Sequence, residues 1–289
     1  MAKYSDKNSN NIDGNFFVDN RCIGCVSCES FDADTFVLKD GKAYVYQQPN
    51  EEGFKKACIA LLSCPVDAIG ILEGKESVRE IKKELPLKLN EDVYFCSYNA
   101  PEAIGANSYL IKRKQGNILV DVPRYTKPLL TRLVALGGIK YIYMTHKDDI
   151  GEYTKFQEYF NAQTIFHEDD FNKKITTADI ILRGQEDFML DDDVTIIPVV
   201  GHTKGHTVLL YKNTYLFTGD HLAHKAKGDY LYMFENFCWY DWNKQLQSLQ
   251  KLLSYDFSHV YAGHGGSFEG TIQSVKEKIQ NFLKRKGLH

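Results

Sequence analysis

Three cysteines occupy one short stretch, Cys22-Ile23-Gly24-Cys25-Val26-Ser27-Cys28, and a fourth, Cys64, stands immediately before Pro65. A cubane iron–sulfur cluster needs four thiolates converging on a small volume. The C-x-x-C-x-x-C spacing supplies three from one tight loop, and a distant cysteine closes the set. Pro65 keeps the backbone extended and so fixes the direction of the Cys64 thiolate. The alternatives for this spacing are a zinc site and a scaffold that has lost its metal. Cys58, Cys96 and Cys238 fall on no ligand position and read as small buried hydrophobes, with Cys238 nearer the second site.

A second set of groups is spread over four turns. His146 lies in Thr145–Asp149 (THKDD), His202 in Gly201–Thr207 (GHTKGHT), Asp220 in Phe217–Leu222 (FTGDHL) and His264 in Ala262–Gly266 (AGHGG). Each turn follows an apolar, strand-like run, which places its polar group at a strand end where loops can converge. A lone histidine is usually structural; four such turns in series point to a metal. His146, His202, Asp220 and His264, with Asp148 close to the first, are imidazoles and carboxylates that could share an ion. Asp148 and Asp149 are the candidate catalytic carboxylates. His206 and His221 are candidates for orienting the ligands, and core placement is an equal reading. His224 and the aromatic run Cys238–Trp242 are candidates for lining a pocket, with packing the commoner role. His167 and His259 have no special context.

These groups need elements to hold them. A short strand, Phe16–Val18, precedes the cysteine loop. A hairpin of Thr35–Lys39 and Ala43–Gln47 turns at Asp40-Gly41. A helix beginning near Pro49–Glu52 ends at Ser63, because Cys64-Pro65 cannot continue it. Residues 74–90 read as a charged linker, and residues 1–13, polar and Asn-rich, as a disordered tail without a secretory signal. The region 14–73 is then one domain and 91–289 a second. In the second, strands are expected at Val93–Cys96, Ser108–Ile111, Asn117–Val120, Ile139–Met144, Val194–Val200, Thr207–Tyr211, Tyr215–Thr218 and Val260–Ala262. One helix carries Leu129, Leu130, Leu133 and Val134 and stops at Gly137-Gly138. The last carries Ile272, Val275, Ile279 and Leu283, with Thr271 as its N-cap. Strands and helices in this alternation suggest a layered α/β sandwich.

The Cys-Pro pair followed by a small apolar strand resembles the cluster site of bacterial ferredoxins. Two-cluster ferredoxins repeat a Cys-Pro soon after the third cysteine; here Asp32-Ala33 stands there, which implies one [4Fe–4S] cluster on Cys22, Cys25, Cys28 and Cys64. Over nearly all of residues 91–289 the histidine and aspartate turns resemble the metallo-β-lactamase superfamily. That resemblance implies a small ferredoxin-like domain followed by a four-layer αβ/βα sandwich, with metals at the edge between two sheets. His146 matches the first histidine ligand, His202 the ligand of the Gly-His-Thr turn, Asp220 the carboxylate that usually bridges two metals, and His264 the late Gly-His-Gly ligand. Asp121 matches a buried acid supporting the ligands.

The departure begins after His146. The common motif is His-x-His-x-Asp-His, whereas Asp148 replaces the second histidine and Ile150-Gly151 stand where Asp-His belongs. A second metal retains Asp220 and His264, joined by Asp149, Glu152 or Tyr153 if the turn is lengthened. The whole architecture resembles a family of plant and cyanobacterial ferredoxin–metallo-β-lactamase fusions, which read His-Arg-Asp-Asp-Val-Ala-Asp-His in this turn; the final Asp-His is here Glu152-Tyr153. The persulfide-dioxygenase branch draws iron ligands from the same three turns, and the flavodiiron branch carries a carboxylate at the position of Asp148. GHTKGHT resembles the turn of glyoxalase-type thioester hydrolases.

Three readings follow: a redox metalloenzyme acting on a small molecule at one divalent metal, iron preferred over zinc or manganese; a zinc-dependent hydrolase of a (thio)ester with a structural or regulatory cluster; and a non-catalytic redox sensor or electron carrier. Hydrophobic content of 43% and charged content of 25% are those of a globular protein. A net charge of −3 argues against nucleic acid as a partner, with Lys284-Arg285-Lys286 reading as a solvated helix end. No run spans a membrane. A redox partner protein and a reducing, cytoplasmic compartment are expected from the oxygen-sensitive cluster. Cys25→Ser is expected to abolish the visible absorption of the anaerobically purified protein; absorption that survived would exclude Cys25 as a ligand.

Overall fold

Along the strands of the second region, side chains alternate between two apolar layers, and this alternation builds the fold. Ile118 and Val120 face one way and Leu119 the other; Leu209 and Tyr211 oppose Val208 and Leu210; Phe217 opposes Leu216. Both faces are buried, so the strands read as continuous hydrophobic runs. A computed structural model describes residues 2–288 and shows where each face goes. A seven-stranded sheet runs in the order Ile180–Leu182, Gln163–His167, Tyr141–Tyr143, Ile118–Val120, Tyr109–Ile111, Val93–Phe95, Leu87–Lys88. A six-stranded sheet runs Phe188–Asp191, Val194–Pro198, Thr207–Tyr211, Tyr215–Gly219, His259–Ala262, Phe268–Glu269. The inner faces pack Val120, Tyr143 and Ile165 with Ile196, Phe217 and Tyr261.

Helices cover both outer faces. Lys127–Ala135 and Tyr153–Phe160 press Leu129, Leu133 and Phe156 onto Leu119, Ile142 and Phe166. Trp242–Lys251 and Ile272–Arg285 press Leu249, Val275 and Ile279 onto Leu210, Leu216 and Val260. The result is the expected four-layer sandwich. Thr271 caps the last helix in a capping box, its Oγ1 accepting from Ser274 N while Ser274 Oγ accepts from Thr271 N. Strands Tyr141–Tyr143 and Ile118–Val120 are parallel, as are Tyr215–Gly219 and His259–Ala262. Their carboxyl ends therefore open on one edge of the sandwich. The expected strands are present, each within a residue or two. Gln163–His167, Ile180–Leu182, Phe188–Asp191, Ala223–Lys225 and Tyr230–Tyr232 are additional. Among the described residues no helix is long and apolar enough to cross a membrane.

The first domain is a small layer of its own. Phe16–Val18 pairs antiparallel with Ile69–Ile71, and the hairpin of Phe36–Lys39 and Lys42–Val45 turns at Asp40-Gly41 as expected. The helix Phe54–Ser63 ends before Cys64-Pro65, as expected, and begins after a turn in which Asn50 Oδ1 accepts from Gly53 N. Phe31 packs on Phe95 of the seven-stranded sheet at 4.6 Å between ring centroids, so the two domains share one apolar cluster.

Two expected boundaries differ. Residues 2–13 are not a loose tail. Asn8 N donates to Val18 O, and the buried Asn11 side chain accepts from Val18 N and Val45 N while donating to Val18 O. The Asn-rich composition supplies amides that satisfy strand-edge backbone groups, which composition alone reads as disorder. The expected linker, 74–90, divides into the helix Lys75–Lys83 and the edge strand Leu87–Lys88, because buried Leu85 and half-buried Leu87 and Leu89 belong to the core. Asn11→Ala is expected to destabilise the first domain by about 1–3 kcal/mol, since it strands several buried backbone groups; urea unfolding followed by cluster absorbance measures it, and an unchanged midpoint would mean that the segment is not pinned.

Candidate metal centre and cluster site

The cluster loop reverses tightly on itself. Gly24 has a φ of +72°, and a Cβ there would lie 2.4 Å from the Gly41 carbonyl oxygen, so only glycine fits against the hairpin turn. Cys22, Cys25, Cys28 and Cys64 line one cavity with Val18, Ala43 and Ile69, and none is in a disulfide. Ala43 N donates to Cys22 Sγ and Ala68 N to Cys64 Sγ, each at 3.2 Å, as thiolate ligands require. Burial, then the neighbouring Cys25, Cys22 and Cys64, hold the Cys28 thiol well above its ordinary value. Only a cation removes such a cost for four converging thiolates. The four residues therefore fit a [4Fe–4S] cluster. Cys58 and Cys96 are buried elsewhere, and burial pushes both thiols up to about 12.

At the sandwich edge the second set converges. His146 Nε2 lies 3.8 Å from Asp148 Oδ2, 3.9 Å from Asp149 Oδ2 and 3.8 Å from Asp220 Oδ2. His202 Nε2 lies 3.6 Å from Asp148 Oδ2 and 3.8 Å from Asp220 Oδ2. These separations suit ligands on one ion and exceed those of direct hydrogen bonds. His146 Nε2, His202 Nε2, Asp148 Oδ2 and Asp149 Oδ2 are buried atoms with no hydrogen-bond partner. Buried donors and acceptors without partners around a common point fit a cation held between them. The set fits one divalent metal, with His146 shared between the group of Asp148 and His202 and the group of Asp149 and Asp220.

The supporting contacts fix each ligand. Asp121 Oδ1 accepts from Thr145 N at 2.8 Å and from Thr145 Oγ1 at 3.0 Å, and Thr145 Oγ1 lies 3.0 Å from His146 Nδ1. Ligation through Nε2 puts the proton on Nδ1, so Thr145 accepts from His146 and donates to Asp121. Burial, with the charge of Asp220, raises Asp121 to about 7. Burial, with the neighbouring His202, lowers His146 to about 4, keeping the imidazole neutral and free to ligate. His206 stacks on His146 at 4.7 Å with its Nε2 3.2 Å from Thr218 O, and His221 is fully buried nearby.

Asp170 was not singled out in the sequence. It is buried; its Oδ2 accepts from Lys147 N at 3.1 Å and Thr203 Oγ1 at 2.5 Å, and its Oδ1 from Gly205 N at 2.8 Å. One carboxylate thus ties the His146 turn to the His202 turn. Its position after the strand Gln163–His167 was the available signal.

His264, expected as a ligand, lies outside both groups. Its Nδ1 is 2.8 Å from Asp220 Oδ1 and its Nε2 3.3 Å from Ile104 O. Burial opposes the charge, but Asp220 raises His264 to about 10; burial likewise opposes ionisation of Asp220, and His264 pulls that carboxyl well below the usual range. Of the residues that a longer turn would recruit, Asp149 faces the centre. Glu152 pairs with Lys155, and Tyr153 Oη donates to Lys174 O. The aromatic run attaches by its backbone, Trp239 N donating to His202 O at 2.9 Å, with Phe237, Trp239 and Tyr240 exposed. His224 pairs with Asp229, His167 bonds Gly184 O, and His259 bonds Ser258.

Residues 18–71, which hold all four cluster cysteines, match the family model of the 4Fe-4S single cluster domain of ferredoxin I. A Beta-lactamase-like protein 2 homolog of Caenorhabditis elegans is 28% identical over 203 residues, 63% of this chain and 63% of that protein. The YmaE protein of Bacillus subtilis is 25% identical over 210 residues, 68% of this chain and 77% of that protein. Among solved structures, VMB-1 superposes with a TM-score of 0.52 at 20% identity, covering 69% of this chain and 96% of that one. The B3 metallo-β-lactamase BLEG-1 superposes at 0.51 and 20% identity, covering 64% and 96%. The chain joins a ferredoxin-type 4Fe-4S domain to a metallo-β-lactamase fold.

Burial, followed by the charge of Asp220, holds Asp149 well above the usual carboxyl range, which favours a bound proton there in the metal-free protein. Ion binding must release it. Calorimetric titration of a divalent ion into metal-free protein, in buffers of differing ionisation heat, is expected to show that release, reduced by about one proton in Asp149→Asn. Heats independent of the buffer would exclude the protonated state.

Proposed function

We propose that the protein is a metalloenzyme carrying out redox chemistry on a small molecule at a mononuclear iron, with the [4Fe–4S] domain exchanging electrons with it. The observation that carries this reading is the position of Asp148 Oδ2, 3.6 Å from His202 Nε2 and 3.8 Å from His146 Nε2. A carboxylate there gives two imidazoles and hard oxygens, a set that favours iron or manganese over zinc. Bound iron supplies one-electron chemistry with positions left for substrate. His146, His202, Asp148 and Asp220 hold the ion; Asp149, whose Oδ2 lies 3.9 Å from His146 Nε2, stands beside it as a carboxylate placed to take up a proton from a reacting group. The Asp148 side chain is 38% exposed, which supports substrate entry from its side. Cys22 and Cys25 are partly exposed, leaving the cluster open to a redox partner protein. A cytoplasmic setting and the absence of nucleic-acid or membrane partners belong to the same proposal.

Zinc-dependent hydrolysis of a (thio)ester is the second reading. It is favoured by Asp149, because a carboxyl that binds a proton beside the ion is what activation of water requires.

Metal analysis of anaerobically purified protein separates these readings. Iron beyond the cluster's four atoms, lost in His202→Ala while cluster absorbance stays, is the expected outcome. One zinc would transfer the conclusion to hydrolysis, and no ion beyond the cluster would reduce the protein to a redox sensor or electron carrier.

A further inference from the structure

The cluster loop and the metal edge meet in one short segment, residues 99–107. Gly105 has a φ of +82°, and a Cβ there would lie 3.0 Å from both the Cβ and the Sγ of Cys25 and 3.0 Å from Pro65 Cγ. Its backbone therefore rests directly on a cluster ligand. The Gly105 carbonyl accepts from Ser27 Oγ at 2.8 Å and from Asn99 Nδ2 at 2.7 Å, and Ser27 Oγ in turn lies 3.4 Å from Cys25 Sγ. One peptide back, the Ile104 carbonyl lies 3.3 Å from His264 Nε2. The other ring nitrogen is 2.8 Å from Asp220 Oδ1, and Asp220 Oδ2 is 3.8 Å from His146 Nε2 and from His202 Nε2.

The segment is held rigidly from behind. Asn99 Nδ2 also donates to Asn107 Oδ1 at 3.1 Å; Asn107 N donates to Gly263 O at 2.6 Å, and Asn107 Nδ2 to Ala262 O at 3.2 Å. Both asparagines are buried, and buried amides bonded in this way define one arrangement of the backbone. Electrons tunnel more readily through bonds and hydrogen bonds than across gaps, and this is a continuous bonded route with a single van der Waals step, at Gly105.

We propose that the Ile104–Gly105 peptide pair and the His264 ring form the electron path between the cluster and the metal centre. The proposal rests on the iron reading of the site and adds the route that serves it. One electron leaves the reduced cluster, which is oxidised by one, and converts Fe(III) to Fe(II). No covalent bond forms or breaks, and His264 keeps its proton towards Ile104. A low-potential one-electron carrier replaces the electron lost, with access beside the partly exposed Cys22 and the exposed Ile23.

The test uses the full-length protein carrying the cluster and Fe(III). After photoreduction by less than one electron per chain, freeze-quench electron paramagnetic resonance follows the reduced-cluster and ferric signals. In the unmodified protein the cluster signal is expected to decay together with the ferric signal at a rate independent of protein concentration. His264→Phe is expected to slow that decay by an order of magnitude with the cluster absorbance retained. An unchanged rate in an iron-loaded His264→Phe protein overturns the path and leaves the iron reading standing; an unmodified protein that takes up no iron overturns both. A second measurement needs no variant: with Co(II) in place of Zn(II) at the metal site, the reduced-cluster signal is expected to relax faster. Identical power saturation with the two ions overturns the proposal.

Discussion

The structure depends on a cluster of buried polar atoms that have no partner in the chain. Two imidazoles and two carboxyl groups meet at the sandwich edge with buried atoms that bond to nothing in the chain. Burying such groups is costly unless a cation pairs with them. Everything around them works to keep the arrangement from relaxing. Thr145 and Asp121 hold the His146 ring, Asp170 ties Lys147 to Thr203 and Gly205, and His206 stacks on the ligand ring. His146 and Asp220 follow strands paired in parallel, and His202 and His206 lie in the turn between two antiparallel strands, so polar turns converge without breaking the ladders.

The same edge receives the first domain. Its contact with the sandwich is part apolar, through Phe31 and Phe95, and part polar, through Ser27 on Gly105, Ser63 with Ser97, and Glu29 with Lys225. The polar contacts cluster beside the cysteine loop, so the cluster lies against the wall of the metal centre and not at the far end of a tether. The helix and edge strand of residues 75–88 reinforce this, because Leu85 and Leu87 pack into the shared core.

Much of this was legible in the chain. The cysteine spacing picked out four thiols that line one cavity, because a tight loop of fixed length leaves few geometries, and the apolar runs located most of the strands, although Gln163–His167, Ile180–Leu182 and Phe188–Asp191 went unread. The capping of the last helix by Thr271 and the helix stop at Cys64-Pro65 were local chemistry. The turn after His146 was harder. A gapless count lost two ligands there, but Asp149 reaches the centre because the chain turns tightly at Gly151, which has a φ of +46°. The ordered start was misread because buried asparagines look, in composition, like disordered ones.

The sequence by itself determined which residues carry chemistry, since a thiolate, an imidazole or a carboxylate keeps its donor atoms in any fold. Tertiary structure alone decided which donors share a point. It set His264 on Asp220 and Ile104, outside both donor groups, brought in Asp170 from a turn with no motif, and set Gly105 against Cys25. Those outcomes depend on contacts between residues far apart in the chain, and such contacts arise only when the two sheets and the cluster loop pack together.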